Sequence, residues 1–136
     1  MMNGNVSPFL RLRCAASRRM TDAEVARDAA LLDAEGSNKL RRFRAAEDRR
    51  DYAAAHALLR RMLTAAAPNI PPEEWRFERT SGGKPYLPAT LAGNPPIRFS
   101  LSHTHGLVAC VVSRDAEVGV DAECGSRTMD VDLLMP

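Results

Sequence analysis

The chain has 136 residues and a net charge of +2, with 45% hydrophobic and 26% charged residues, as is typical of one globular domain. The balanced charge gives no support for nucleic acid binding, no stretch is apolar and long enough to span a membrane, and residues 1–13 lack a signal-peptide core. The three cysteines, Cys14, Cys110 and Cys124, are spaced too irregularly for a disulfide framework or a zinc site. We therefore expect a cytoplasmic protein with reduced thiols and no membrane or nucleic acid partner.

The first half of the chain is predicted to be mainly helical. Residues 8–15 alternate imperfectly between apolar and charged side chains and are predicted to form a first strand. Thr21 and Glu24 have the spacing of a capping box, which predicts a helix start, and Gly36 is expected to end that helix. A long helix is predicted from about residue 47 to about residue 66. Its apolar stripe consists of Tyr52, His56, Leu59 and Leu63, and its end carries Arg60 and Arg61, which suit the helix dipole. We interpret His56 as a core histidine.

The second half of the chain is predicted to form a small, mostly antiparallel sheet. Strands are expected at residues 75–80, 97–102, 107–113 and 117–123, with a glycine turn at 81–83. The continuous apolar run at 107–113, which contains Cys110, indicates a buried central strand, and Trp75 and Phe77 are expected in the core. We identify no complete element after Glu123, so the chain is expected to be cut short. Helices packed on such a sheet make the predicted fold class α+β.

An acidic motif occupies the last predicted strand. Successive strand residues point to opposite faces, so Asp121 and Glu123 share one face with Gly119. Their Cα atoms would be roughly 6.6 Å apart, and the two carboxylates could converge on one Mg²⁺ ion, which prefers oxygen ligands. Taken alone, the motif is equally compatible with a solvent-facing acidic pair on an edge strand.

A second motif ends the strand at residues 97–102. Ser102 and His103 are followed by His105 and Gly106, and hydroxyl, imidazole and backbone amide groups at a strand end can bind phosphate oxygens. A capped loop with solvent-facing histidines is the alternative. A nucleophilic Ser–His pair is disfavoured, because adjacent residues on a strand point apart.

The third motif is a lysine in a glycine turn, Gly83-Lys84-Pro85. The spacing of a Walker loop is absent, so Lys84 is either a point charge for a phosphate or a solvated side chain. A cluster of arginines between residues 41 and 50 follows Lys39, and it is either a solvated helix face or part of an anion or partner site.

In their order and spacing, the three motifs resemble those of the Sfp-like 4'-phosphopantetheinyl transferases. The matching runs are Gly83-Lys84-Pro85, Phe99-Ser100-Leu101-Ser102-His103 and Gly119-Val120-Asp121-Ala122-Glu123. The segment from Arg42 to Arg60 also resembles the helix region of that family, so the resemblance extends from about residue 40 to residue 123. It implies that residues 1–136 form one amino-terminal subdomain, half of a pseudo-twofold fold whose carboxy-terminal subdomain is missing.

The resemblance also implies a reaction and a set of site residues. Such enzymes transfer the 4'-phosphopantetheine arm of coenzyme A to a serine of an acyl or peptidyl carrier protein, acting as holo-acyl-carrier-protein synthases. Lys84 and His103, with Ser102 beside it and Lys39 nearby, would hold the 3'-phosphate of coenzyme A. The two carboxylates at 121 and 123 would bind the Mg²⁺ that contacts the pyrophosphate, which makes them the expected catalytic residues.

One family feature is absent from these 136 residues, a later Trp-x-x-Lys-Glu-Ala segment whose glutamate supplies a third carboxylate to the metal. We therefore expect the chain to be inactive or incomplete alone. The alternatives are a non-catalytic half-domain that binds coenzyme A or a carrier protein, and a truncated product that folds poorly because an apolar face has lost its partner. A nucleic acid binder is the weakest alternative, because no recognisable aromatic-and-basic motif accompanies the arginine run.

Overall fold

The computed structural model describes residues 9–114, 117–122 and 129–134, and within these ranges the fold is α+β, as predicted. The helices are α1 (Asp22–Ala29), α2 (Ala34–Arg42), α3 (Ala46–Ala66) and α4 (Ala89–Ala92), with 3₁₀ turns at Ser17–Arg19 and Pro72–Glu74. The strands are β1 (Leu10–Ala15), β2 (Glu78–Arg79), β3 (Pro85–Tyr86), β4 (Ile97–Thr104), β5 (Leu107–Arg114), β6 (Glu117–Ala122) and β7 (Met129–Leu134).

The main sheet is antiparallel and has the order β1-β5-β4. The predicted central strand is confirmed, because β5 pairs on both sides and the residues from Val108 to Val112 are buried. At the edge, β1 exposes Leu10 and Leu12 by 47% and 38%. Strands β2 and β3 form a separate hairpin, and β6 pairs with β7.

Helix α3 packs along the sheet and forms most of the core. Its apolar stripe includes Leu59 and Leu63, which are buried with Phe99 and Cys110 of the sheet. A run of buried alanines on the same helix consists of Ala53, Ala54, Ala55 and Ala57. Small side chains let the helix approach the sheet closely, and Ala54 and Ala55 pack on Val108 of β5. As predicted, Cys110 is an inert core residue, since burial raises the pKa of its thiol to about 12.

The buried segment that precedes β2 is held by side chains rather than by a strand partner. Trp75 is fully buried, as predicted, and its Nε1 donates to Oγ1 of Thr64 at 2.9 Å. The predicted strand at 75–80 was wrong except at Glu78–Arg79. The carbonyl of Trp75 accepts a 3.0 Å hydrogen bond from Arg60, so this segment satisfies its backbone through an arginine instead of a ladder.

The predicted capping box at the start of α1 is confirmed, because Thr21 and Glu24 each bond the other's backbone amide. The prediction that Gly36 ends this helix was wrong. Helix α1 ends at Ala29, and Gly36 lies in the first turn of α2, where its amide donates to the N-cap carboxylate of Asp33 at 2.9 Å. A Cβ at position 36 would be 3.2 Å from Cβ of Leu32, so the glycine serves a close approach and not a helix stop.

The prediction that no complete element follows residue 123 was also wrong. Strand β7 pairs antiparallel with β6, from Ala122 opposite Met129 to Glu117 opposite Leu134. Two aspartates in a six-residue strand weaken the strand signal in the sequence, and pairing with β6 overrides it. Among the described residues, no helix has both the length and the apolar composition needed to cross a bilayer.

Candidate anion site

Lys84 lies at the end of the turn that joins β2 and β3. The turn is built on Thr80, whose amide donates to the Lys84 carbonyl and whose Oγ1 accepts from the Lys84 amide at 3.1 Å. Gly83 adopts a positive φ of +88°, which a side chain would disfavour. The predicted turn is confirmed, and the exposed lysine borders a surface pocket of about 350 Å³ that extends to Phe99 and Val118.

His103 lies near the end of β4, in register with Val108 of β5. Its side chain is exposed, Ser102 before it is half-buried, and the strand turns at His105 and Gly106. The strand is therefore two residues longer than predicted, but the motif ends it at a tight polar turn, as expected.

Lys39 lies in the last turn of α2 and faces α3. Its Nζ is 5.6 Å from the centre of the Tyr52 ring, and the Tyr52 ring is 4.2 Å from the ring of His56. A lysine over an aromatic face is attracted by the ring quadrupole, which orients Lys39 toward this part of α3.

His56 connects these groups electrostatically. Burial lowers its pKa from 6.5 to about 4, and the positive charges of Lys39 and His103 contribute to the same shift. Lys39 and His103 therefore both make protonation of this imidazole less favourable. His56 was predicted as a core histidine; it is half-buried and stacks on Tyr52, but it also faces the cations.

Arg79 of β2 is a further cation that the motifs did not indicate. It also lowers the pKa of His56, and with His56 and Pro85 it lines a small pocket between α2, α3 and the β2–β3 hairpin. Its guanidinium bonds the carbonyl of Gly83 at 3.0 Å, one residue before Lys84, and pairs with Glu35 at 3.1 Å. Arg79 falls within the strand predicted at residues 75–80, and nothing in that pattern indicated a ligand. We call Lys39, Arg79 and His103, which all lower the pKa of His56, the basic cluster.

The acidic motif lies on β6. Val118 and Val120 are buried with Ala109 and Val111, so this face of β6 lies in the core. The amide of Val120 donates to Oγ of Ser100 at 3.2 Å and ties β6 to β4. Asp121 follows in β6, in register with Asp130 of β7, whereas Glu123 lies outside the described residues. Within the described ranges, no three His, Cys, Asp or Glu side chains group as a metal site.

Comparisons with known proteins identify a family. A family model described as "4'-phosphopantetheinyl transferase, N-terminal" matches residues 19–115. The chain is also 31% identical over 106 residues to the 4'-phosphopantetheinyl transferase HetI of Nostoc sp. (strain PCC 7120), an alignment that covers 78% of this chain and 44% of HetI. The chain thus spans less than half the length of this curated relative. It belongs to the 4'-phosphopantetheinyl transferase family, of which it is an amino-terminal half.

Proposed function

We propose that this chain supplies the coenzyme A-binding half of an enzyme that transfers 4'-phosphopantetheine to a serine of an acyl or peptidyl carrier protein. The observation that carries the proposal is the basic cluster. Arg79 and His56 line one pocket, and Lys39 lies over the Tyr52 ring that packs against His56. Lys39, Arg79 and His103 all lower the pKa of His56. We propose a cytoplasmic reaction, in keeping with the reduced cysteines that the sequence predicts.

The 3'-phosphate of coenzyme A is the anion that we assign to this site. In the described part of the chain, none of Lys39, Lys84 and His103 forms an ion pair, so the two ammonium groups and the imidazole are available to a ligand. Lys84 would approach from the β2–β3 turn and His103, with Ser102, from the end of β4. Charge-assisted hydrogen bonds to phosphate are strong, and they would anchor the substrate at a point remote from the reacting bond.

Asp121 and Glu123 are proposed to hold Mg²⁺. Support comes from β6, where position 121 alternates with two buried valines, and from the carboxylate chemistry, which fits this hard cation. When bound, the metal would neutralise charge on the pyrophosphate. In the reaction, the carrier serine oxygen would bond the β-phosphorus of coenzyme A, the bond from this phosphorus to the bridging oxygen would break, and 3',5'-ADP would leave.

Binding of coenzyme A tests the assigned anion. By calorimetry, Lys39→Ala, Lys84→Ala and His103→Ala should each raise the Kd for coenzyme A about tenfold, because one charged contact to phosphate is lost. The same variants should bind dephospho-coenzyme A, which lacks the 3'-phosphate, as the unmodified chain does. Arg42→Ala removes an exposed cation of α2 outside the basic cluster and should change neither affinity. Equal losses for both ligands would contradict the assignment.

Transfer itself is tested by incubating the chain with apo-carrier protein, coenzyme A and Mg²⁺ and weighing the carrier by mass spectrometry. We expect no pantetheine mass gain from these 136 residues alone, because the family's third metal carboxylate is not among them. Robust modification would contradict that requirement. Coenzyme A binding that persists with no transfer, even when a carboxy-terminal half is added, would favour the alternative of a non-catalytic binding half-domain.

A further inference from the structure

A buried carboxylate of α3 has no role in the proposed reaction. Asp51 of α3 is 3% exposed, and none of the ion pairs among the described residues includes it. Burying a carboxylate is costly unless hydrogen bonds satisfy it. Two donors do so, the hydroxyl of Ser17 at 2.5 Å to Oδ1 and the amide of Gly106 at 3.2 Å to Oδ2.

The second of these donors belongs to the turn that follows His103. Gly106 has a φ of +76°, and its carbonyl accepts from the amide of Arg18 at 3.2 Å. A Cβ on this glycine would lie 2.8 Å from Cβ of Arg18, so the turn is closely packed. Asp51 thus holds the amide of Gly106 from one side, and the segment at Ser17 and Arg18 holds its carbonyl from the other.

This turn closes the end of the β4–β5 hairpin. The ladder closes with Thr104 opposite Leu107, which leaves His105 and Gly106 as the two-residue connection. His103 belongs to the pair just before, opposite Val108. Hairpin ends fray when few contacts hold them, and a fraying end would let His103 move away from His56.

We propose that Asp51 is a positioning residue of the anion site, which keeps His103 in place through the amide of Gly106 without touching the ligand. The inference rests on the proposed function. Direct Coulomb repulsion between the Asp51 carboxylate and a bound phosphate would by itself weaken binding. Any benefit of Asp51 to binding must therefore come from its hydrogen bond to the backbone of the turn.

The two possible effects of Asp51 on binding have opposite signs, and Asp51→Asn separates them. The amide keeps the size of the side chain but can accept from only one of the two donors through its single oxygen. If Asp51 positions His103, the variant should raise the Kd for coenzyme A by up to about tenfold, the share assigned to His103, and leave dephospho-coenzyme A unaffected. In a His103→Ala background, the same change should have no further effect.

Other results would overturn the inference. Tighter coenzyme A binding by Asp51→Asn would mean that only charge repulsion is removed. If Asp51→Asn lowers the stability of the fold but leaves the ratio of the Kd values for coenzyme A and dephospho-coenzyme A unchanged, Asp51 is purely structural. The proposed function would then still stand. If the unmodified chain itself fails to distinguish the two ligands, the proposed function and this inference fall together.

Two further variants keep the test decisive. Asp48→Asn changes an exposed carboxylate one turn earlier on α3 and should behave as the unmodified chain. Gly106→Ala disturbs the turn while leaving the charge of Asp51 in place, because the new Cβ would meet Arg18. Should Asp51→Asn fail to fold, loss of 3'-phosphate discrimination in Gly106→Ala supports the inference, and full retention overturns it.

Discussion

Replacing Arg60 with methionine is expected to lower the free energy of unfolding by about 3–5 kcal/mol, the range for breaking a buried ion pair from one side. Arg60 is 3% exposed, and its Nη1 donates to the carbonyls of Pro72 and Trp75, each at 3.0 Å. Its Nη2 pairs with Asp33 at 3.1 Å. Methionine fills similar space, but the Pro72 carbonyl and the Asp33 carboxylate lose the Arg60 donor, and the Trp75 carbonyl keeps only Arg76. The loss is therefore one of hydrogen bonding rather than volume.

The matched control is Arg76→Met. Arg76 is exposed and also donates to the carbonyl of Trp75, at 2.9 Å, so it shares an acceptor with Arg60 but not its burial. Its loss should change the free energy of unfolding by about 0.5 kcal/mol or less. Urea denaturation followed by circular dichroism measures both. If Arg60→Met lowers the free energy of unfolding by less than about 1 kcal/mol, the hydrogen bonds of this guanidinium do not hold the fold together as we expect.

Acidification should destabilise the chain through His56. Its pKa is lowered from 6.5 to about 4 in the folded protein, by burial and then by the nearby cations. Between these values the unfolded chain binds the proton and the folded chain does not, so stability falls as the pH drops from about 6.5 to about 4. At 1.36 kcal/mol for each pKa unit, the full loss is about 3 kcal/mol.

His56→Gln isolates this contribution from that of the carboxylates. Glutamine cannot take up the proton, so the variant should lose less stability than the unmodified chain between pH 7.5 and pH 4.5, by about 2–3 kcal/mol. Denaturant titrations at the two pH values provide the comparison. Parallel pH dependence in the two proteins would show that the imidazole is not held neutral by its surroundings.

Local sequence signals predicted the elements that depend on neighbours along the chain. The capping box of Thr21, the long helix α3 and the apolar strand β5 were confirmed because propensity, capping and burial agree there. Gly36 and β7 were predicted wrongly because tertiary packing decides them: a close contact with Leu32 explains the glycine, and pairing with β6 explains the strand. Arg60 was assigned to the helix dipole, and its burial depends on a segment 12–15 residues later in the chain.

The candidate site was predicted in part. The motifs gave Lys84 and His103, and the resemblance added Lys39. Lys39 and His103 both lower the pKa of His56, whereas Lys84 lines a different pocket, and their phosphate-binding roles stay predictions. Arg79 and Asp51 were missed, because one belongs to a short hairpin and the other acts on a turn 55 residues away. The metal-binding roles of Asp121 and Glu123 stay predictions.

The alanine face of α3 has a consequence for ligand affinity. The helix carries Asp51, His56 and Arg60, and at Ala54 and Ala55, which pack on Val108, only methyl groups separate it from β5. A bulkier residue at either position would push the helix away from the sheet. It would thereby move the imidazole, the carboxylate and the guanidinium together, so a substitution buried far from solvent would shift the proposed anion site.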